Sequence, residues 1–275
     1  MQYLEDMNNV PVEYHYLLQW RQRSELAAMN DQGRMQLLQE IVQAGADENN
    51  WKAILELFAA WPESPAKEIA FEWCNQLMQS WPDELRVINA AWGHLYHGNM
   101  LSSIAKIAKS IDILQREQHG NSELQIITRS PFIKELKRLT IRKSSLYSDG
   151  MRSLVASPYL VSLSVLALES LTLTDEEFDV FCTASHFHSL AWLRLKNIGL
   201  NTKLLTRLIQ SPVLKRVNRL ELSHNQLDDN SMAVLVASDK IANLQYLDLS
   251  NNFIREEGKK VLQESIALKK VQVII

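Results

Sequence analysis

Histidine and cysteine side chains come close together at two places in the 275-residue sequence. His94 and His97 are three residues apart, so on a helix they share one face, as two metal ligands would. Cys182, His186 and His188 bring a thiol and two imidazoles together, a set typical of metal binding or nucleophilic chemistry. No Cys or carboxylate at a recognisable spacing completes the first pair, and the second group falls in a loop of the repeat described below. We therefore expect no metal at either place.

The short motifs that identify common enzyme sites are missing from the sequence. It has no glycine-rich phosphate loop, no G-x-S-x-G nucleophile elbow, no H-E-x-x-H zinc motif and no paired C-x-x-C. We expect a non-catalytic protein without cofactors. The alternative is an enzyme whose site lies in the N-terminal half or at the domain junction, around His94 and His97.

Composition is that of an ordinary folded protein. Hydrophobic residues make up 46% of the chain and charged residues 22%, which argues against disorder. Two cysteines are too few for a disulfide framework and suit a reducing compartment. The sequence shows neither a signal peptide nor an apolar run long enough for a bilayer. We expect a cytoplasmic protein without membrane binding, although leaderless delivery into another cell would leave no mark in the sequence.

Charge and tryptophan content divide the chain into two parts. Residues 1–130 hold 10 Lys and Arg against 17 Asp and Glu, whereas residues 131–275 hold 19 against 15. Six of the seven tryptophans precede residue 93. We predict an α-helical domain over residues 1–125 and a repeat domain over residues 126–275. The positive excess of the second part is too small to indicate nucleic-acid binding.

The N-terminal part shows helical periodicity over residues 12–117. Ser64 and Pro65 are typical of a helix start, with serine as the N-cap and proline at the first helical position. We predict that the tryptophans fill the core of a helical bundle, which caps the neighbouring domain or interacts with a partner. Residues 124–128, in the junction at 116–132, are predicted to form an irregular capping strand. One apolar stripe of the bundle recurs every four residues, at Ile69, Trp73, Leu77 and Trp81.

A period of 27 residues runs through the second part without an insertion. Strict alternation around its leucines predicts one short, half-buried strand in each unit. The rest of each unit predicts a helix, as in TDEEFDVFCTAS at 174–185, where Thr174 and Glu177 suit a capping box. Five such units, followed by a terminal strand in LKKVQVII at 268–275, predict a solenoid of parallel strands with helices outside. The clearest column of the period is Leu139, Leu166, Leu193, Leu220 and Leu247.

The units LKRLTIRKSSL, LSVLALESLTL, LAWLRLKNIGL, VNRLELSHNQL and LQYLDLSNNFI resemble the leucine-rich repeat family. The resemblance covers residues 131–275, and the repeat length is most similar to the ribonuclease-inhibitor-like subclass. Asparagine occupies the family's Asn position at Asn225 and Asn252. Because Ser144, Leu171 and Ile198 replace it in the other units, we expect an interrupted ladder of side-chain hydrogen bonds.

The residues between the leucines are the candidates for function. On each strand they alternate with the buried positions, so they face the concave side of the solenoid. Trp, Tyr and Arg, the residue types most often found as interface hot spots, stand side by side at Trp192, Arg219 and Tyr246. The candidate partner-binding residues are Arg138, Arg142, Trp192, Arg194, Lys196, Arg219, Glu221, His224, Tyr246 and Asp248.

Charge changes sign along this predicted face. Lys137, Arg138, Arg142 and Lys143 make its start basic, while Glu221 and Asp248 make its end acidic. Such a gradient orients a partner that carries the opposite gradient. The alternative is that these charges are solvated or paired within the protein, as Arg194 with Glu221 across one strand step.

The resemblance implies a scaffold that binds another protein. Within that class the sequence leaves three roles open: a bacterial toxin-immunity protein, an adaptor, or an effector delivered to a host. It indicates neither the partner nor the oligomeric state.

Overall fold

The computed structural model describes residues 24–88, 104–114, 120–142 and 148–275. The chain divides into two compact units, residues 1–86 and residues 87–275. His94, His97, Lys143 and Ser144, which entered the sequence predictions, lie outside the described residues.

In the described part of the first unit, a helical stretch at 24–28 precedes three helices that follow one another with short breaks. Each begins at a side-chain N-cap: Asn30, Asp47 and Ser64 accept hydrogen bonds from backbone N–H groups of the first turn. The predicted start at Ser64 and Pro65 is confirmed, with Ser64 Oγ 3.2 Å from Lys67 N. The helices are α1 (Asp31–Gln43), α2 (Glu48–Ala60) and α3 (Pro65–Leu77), and a 3₁₀ turn at Met78–Ser80 follows α3.

Aromatic side chains form the core of this unit. Phe58 of α2 stacks on Phe71 of α3 with ring centroids 3.9 Å apart. Trp51, Trp61 and Trp81 are buried, which confirms the predicted role of these three tryptophans.

The predicted apolar stripe of α3 is wrong. Ile69 is 63% exposed and Leu77 47% exposed. The helix instead turns Phe71 inward, because its large flat ring stacks on Phe58 and so decides which side faces the core. The buried positions of α3 and the turn after it are Lys67, Ala70, Phe71, Cys74 and Met78.

In its described residues, the second unit is built on one sheet of eight parallel strands in sequence order. The five predicted strands and the terminal strand are present, so the leucine-rich-repeat solenoid is confirmed. Two strands precede them, and the sheet therefore begins at Val87, earlier than the domain boundary predicted at residue 125. The strands are β1 (Val87–Ile88), β2 (Ser110–Leu114), β3 (Arg138–Arg142), β4 (Val165–Glu169), β5 (Trp192–Lys196), β6 (Arg219–Glu221), β7 (Tyr246–Asp248) and β8 (Gln272–Ile274).

The 27-residue period sets the strand register. Leu139, Leu166, Leu193, Leu220 and Leu247 are paired from β3 to β7, and all five are buried. The same row continues to Ile111 in β2 and Val273 in β8, although the chain between β2 and β3 is one residue longer than the period. Equal spacing thus places equivalent side chains side by side, which is the condition for columns on the opposite face.

A helix follows each strand from β2 to β7. The strand predicted at residues 124–128 is wrong, since these residues belong to the first of these helices. Leu124 and Ile127 share its buried side, and Thr128 Oγ1 donates to the Leu124 carbonyl at 2.8 Å. The six helices are α4 (Gly120–Arg129), α5 (Ser148–Ala156), α6 (Asp175–Cys182), α7 (Thr202–Gln210), α8 (Asp229–Val236) and α9 (Glu256–Glu264).

The capping box predicted for α6 is confirmed. Glu177 N donates to Thr174 Oγ1 at 3.2 Å, and Thr174 N donates to Glu177 Oε2 at 2.7 Å. Asn201 and Asp228 cap α7 and α8 at the equivalent register.

The turns that lead out of the strands share one backbone conformation. A residue with positive φ, between 51° and 58°, follows each of the strands β4 to β7: Ser170, Asn197, His224 and Asn251. The position after it is the family's Asn position, where the predicted interruption is confirmed. Asn225 and Asn252 make side-chain hydrogen bonds to the backbone, whereas Leu171 and Ile198 are buried apolar side chains.

Candidate functional site

The strand positions that alternate with the buried leucines form a second face of the sheet, here named the open face. In β3 and β5 these positions are half-buried or exposed, while the leucines between them are buried. Strand pairing aligns one column of this face through Arg138, Val165, Trp192, Arg219 and Tyr246. The columns predicted from the sequence are therefore present.

Four residues of that column form what we name the cation–aromatic stack: Arg138, Trp192, Arg219 and Tyr246. The Arg219 guanidinium lies 4.0 Å from the centre of the Trp192 ring and 4.3 Å from that of Tyr246, so it is held between two aromatic rings. Arg138 lies 5.4 Å from the Trp192 ring, on a strand two steps away. Contacts of this kind contribute about 0.5–1 kcal/mol each at exposed sites and about 2 when desolvated.

An ion-pair network crosses the open face beside the stack. Arg142 of β3 donates to Asp112 of β2, with Nε 3.1 Å from Oδ1. Arg194 of β5 pairs with Glu169 of β4 at 2.8 Å and with Glu221 of β6. Glu221 also accepts from Arg219 Nε at 2.9 Å. The network joins the stack through Arg219 and consists of Asp112, Arg142, Glu169, Arg194, Glu221 and Arg219.

This network changes the predicted charge gradient. Its three carboxylates face three guanidinium groups, so much of the expected basic and acidic character is neutralised within the protein. The alternative pairing of Arg194 with Glu221 is confirmed. Burial lowers the pKa of Arg194, but its hydrogen bonds to Glu169 and Glu221 outweigh that effect and raise the pKa above the ordinary value. The Arg194 side chain therefore stays charged and keeps both carboxylates in place.

Glu221, predicted to contact a partner, is instead buried and paired within the protein. Its side chain is only 8% exposed, and both carboxylate oxygens are bound by arginines. It orients Arg194 and Arg219 instead of presenting a charge outward. The pairing of Glu221 with Arg194 was one of the alternatives in the sequence, whereas its second bond, to Arg219, was not predicted.

Some charged groups remain outside the network. In the described part of the chain, Arg138 and Lys196 have no carboxylate within ion-pair distance. Among the described residues, the one donor to the Asp248 carboxylate of β7 is the backbone N–H of Ser250, at 2.9 Å. His224 is exposed in the positive-φ turn after β6, at the border of the face.

The indole N–H of Trp192 is a feature that sequence reasoning missed. The Nε1 atom is buried and has no hydrogen-bond acceptor among the described residues. Three guanidinium groups, all donors, surround the ring: those of Arg138, Arg194 and Arg219. An unsatisfied donor of this kind costs about 1–3 kcal/mol.

The Cys182 thiol lacks the lowered pKa of a reactive cysteine. Burial, and then the nearby Asp179 carboxylate, raise the pKa of the Cys182 thiol to about 12, so the thiol is protonated at neutral pH. Burial and the neighbouring His188 lower the pKa of His186, whose ring packs 4.2 Å from that of Phe187. Within the described ranges, no three His, Cys, Asp or Glu side chains come together as metal ligands would.

An open groove of about 710 Å³ lies between α4 and α5, on the helical side of the repeat unit. Arg129, Asp149, Arg152 and Tyr159 line it, and the hydroxyls of Thr128 and Ser153 are hydrogen-bonded to each other there. Its lining contains no His or Cys.

Comparisons with known proteins gave similar solved structures and no match of sequence. No family model matches the sequence, and no curated protein matches it. A crystal structure of a protein from Bacteroides fragilis is similar at 18% identity and a TM-score of 0.46, covering 64% of this chain and 49% of that one. An internalin from Listeria monocytogenes is similar at 17% identity and a TM-score of 0.24, covering 63% of each chain. This chain thus spans about half of the first protein and less than two thirds of the second.

None of the helices in the described ranges combines the length and the apolar character needed to cross a membrane.

Proposed function

We propose that this protein is a non-catalytic recognition scaffold that binds a partner protein on the open face of its repeats. The observation that carries the proposal is the cation–aromatic stack. Trp, Tyr and Arg are the residues whose truncation most often costs about 2 kcal/mol or more at an interface, and here they stand half-buried in one column of the open face.

The neighbouring residues support the same use of this face. Glu221 and the rings of Trp192 and Tyr246 hold Arg219 in one orientation before any partner arrives. A side chain ordered in advance loses less conformational freedom when it binds. Arg142, Arg194 and Glu221 act in this proposal as supports, while Arg138, Trp192, Lys196, Arg219, Tyr246 and Asp248 make the contacts, with His224 at the border.

The proposal includes a role and a place in the cell. We assign the repeats to the ribonuclease-inhibitor-like subclass and the protein to the cytoplasm. The roles that such a scaffold serves are a bacterial toxin-immunity protein, an adaptor and a delivered effector. A toxin gene next to the encoding gene selects the first of these.

Affinity purification followed by mass spectrometry tests the proposal. The full chain, Trp192→Ala and Tyr246→Ala are used as parallel baits, and circular dichroism confirms that each variant is folded. Phe253→Ala is the matched control, because Phe253 is also aromatic and is 66% exposed but lies outside the strands.

We expect one partner captured by the full chain and by Phe253→Ala to be lost from the two stack variants. Truncation of a hot-spot residue weakens binding by roughly 30-fold or more. If the captured proteins are the same for all four baits, the open face is not the binding surface and the proposal is wrong.

A further inference from the structure

The chemistry of the partner follows from which groups of the open face are already used. Within the described residues, the ion-pair network takes up three carboxylates and three guanidinium groups, whose charges balance. The groups left over decide what kind of partner is attracted. Members of the network are Asp112, Arg142, Glu169, Arg194, Glu221 and Arg219.

Around Trp192 the groups left over are all hydrogen-bond donors. Arg138 is exposed and touches the Trp192 ring from β3. Lys196 is half-buried on the same strand as Trp192, four positions further along, so its side chain is on the same face. The indole N–H of Trp192 also lacks an acceptor among the described residues, but its nitrogen is buried and is not counted as a group that a partner contacts. Neither Arg138 nor Lys196 has a carboxylate within ion-pair distance in the described part of the chain.

The opposite end of the face differs. Asp248 of β7 stands two strands beyond Arg194 in the same row, and no cation among the described residues pairs with it. After internal pairing, the gradient thus keeps its predicted direction in a weaker form, with free positive charge at β3–β5 and one free carboxylate at β7.

We propose that the partner lays an acidic polypeptide segment across β3–β5, with its carboxylates on Arg138 and Lys196. This inference rests on the proposed function and adds the partner's chemistry to it. Pairing these donors supplies the carboxylates that the described residues lack there, and it favours fast association because the charges are complementary.

A nucleic acid fits the same face poorly. A phosphate backbone needs a continuous row of cations. Here carboxylates alternate with guanidinium groups from β2 to β6, at Asp112, Glu169 and Glu221, and would lie beside the phosphates.

Selection from a random peptide library displayed on phage, with the immobilised full chain as bait, tests the inference. The test variant is the double substitution Arg138→Glu and Lys196→Glu. Its matched control is Lys215→Glu with Lys260→Glu, which makes the same change of charge at exposed lysines outside the strands. Thermal unfolding followed by circular dichroism confirms that both variants are folded.

We expect peptides recovered on the full chain and on the control to be enriched in Asp and Glu, and this enrichment to disappear or to change to Lys and Arg on the test variant. The strongest acidic peptide should bind the test variant at least roughly tenfold more weakly than the control, since two attractive charge pairs are replaced by repulsive ones.

Other outcomes separate this inference from the proposed function. Peptides without acidic enrichment that are lost on Tyr246→Ala would keep the open face as the binding surface and overturn the acidic chemistry. Recovery of no peptide, together with binding of a single-stranded RNA that the test variant loses, would overturn it in favour of nucleic acid. Recovery of no peptide and binding of no RNA would also overturn it, while the affinity purification above would still decide the proposed function.

Discussion

Two pairs of turns in the same solenoid have the same backbone conformation but a different side chain at the Asn position. The turns after β6 and β7, named the asparagine turns, contain Asn225 and Asn252. The turns after β4 and β5, named the apolar turns, contain Leu171 and Ile198. All four begin with a residue of positive φ, and all four follow strands whose leucines are in register.

Asn225 makes hydrogen bonds to the backbone of the previous unit as well as to its own turn. Asn225 Oδ1 accepts from the backbone N–H groups of Ile198 and Leu200 at 3.0 and 3.1 Å, and its Nδ2 donates to the Leu195 and Leu222 carbonyls. The apolar turn after β5 is therefore held by the asparagine of the next unit. The leucine register sets the path of the chain, and the side chain at the Asn position determines how the backbone groups of the previous turn are satisfied.

The largest effect is expected for Asn225→Leu, which makes this asparagine turn resemble an apolar one. Asn225 is 5% exposed, and its loss leaves the Ile198 and Leu200 N–H groups buried without their acceptor. We expect the free energy of unfolding to fall by about 3 kcal/mol. Urea unfolding measures the loss, and amide hydrogen exchange shows whether Ile198 and Leu200 lose protection.

Asn252→Leu is the graded control. Asn252 makes equivalent bonds to the N–H groups of Asn225 and Leu227 but is half-buried, so we expect a smaller loss of about 1–2 kcal/mol. If Asn225→Leu unfolds at the same urea concentration as the unchanged chain, the two kinds of turn are interchangeable and the comparison has no energetic content.

A smaller effect of opposite sign tests what the four turns share. His224 has φ of 58°, a conformation that costs a residue with a Cβ roughly 1 kcal/mol. His224→Gly and Ser170→Gly should each raise the free energy of unfolding, by at most about 1 kcal/mol, because part of the gain is lost to the flexibility of unfolded glycine. Asn197→Gly and Asn251→Gly should give less, since Asn tolerates this conformation. A gain confined to one pair of turns would show that their backbones differ.

The smallest effect is expected on the loss of stability at acidic pH. Hydrogen bonds from the Ser231 hydroxyl and N–H, and then from Thr202, hold the pKa of Asp228 below its ordinary value. The contribution of this cap is therefore present above the pKa of the unfolded chain and is lost as the pH falls through the lower folded pKa. We expect Asp228→Asn to remove a small part of the acid sensitivity, and Asn201→Asp, at the equivalent cap of α7, to add some. Urea midpoints measured across mildly acidic pH check both, and identical pH profiles for all three chains would contradict the assignment.

Sequence reasoning worked where the period repeated without error. The rows of leucines, the α6 capping box and the interrupted asparagine ladder all follow from fixed spacing. Strand β2 was not predicted because the chain between Ile111 and Leu139 is one residue longer than the period. Strand β1 has only two residues, too few to show alternation.

Helix α4 was not predicted from the sequence for a different reason. Ile126, Ile127 and Thr128 are β-branched and typical of strands. Tertiary packing decides otherwise, since Leu124 and Ile127 are buried together on one side of the helix. Ser130-Pro131 and Ser157-Pro158 hold the same place in successive units, and extending the period back to that pair would have placed α4 correctly.

The candidate site was predictable as a set of positions and not as a set of contacts. Alternation along the strands locates Trp192, Arg219 and Tyr246 on one face. Which arginine pairs with which carboxylate depends on side-chain conformations that spacing does not determine. For the same reason, periodicity in α3 placed Ile69 in the core, when the stacking of Phe71 on Phe58 turned it outward.

A mutation of Arg219 would affect residues on the two neighbouring strands as well as its own. Its guanidinium touches Trp192 and Tyr246, and its Nε binds Glu221, so one side chain links three neighbouring strands. Arg219 therefore holds its neighbours on both sides in position. The exchange Arg219→Lys would keep the charge but lose the flat surface that both rings contact. A single conservative exchange could thus disorder two aromatic residues that were themselves unchanged.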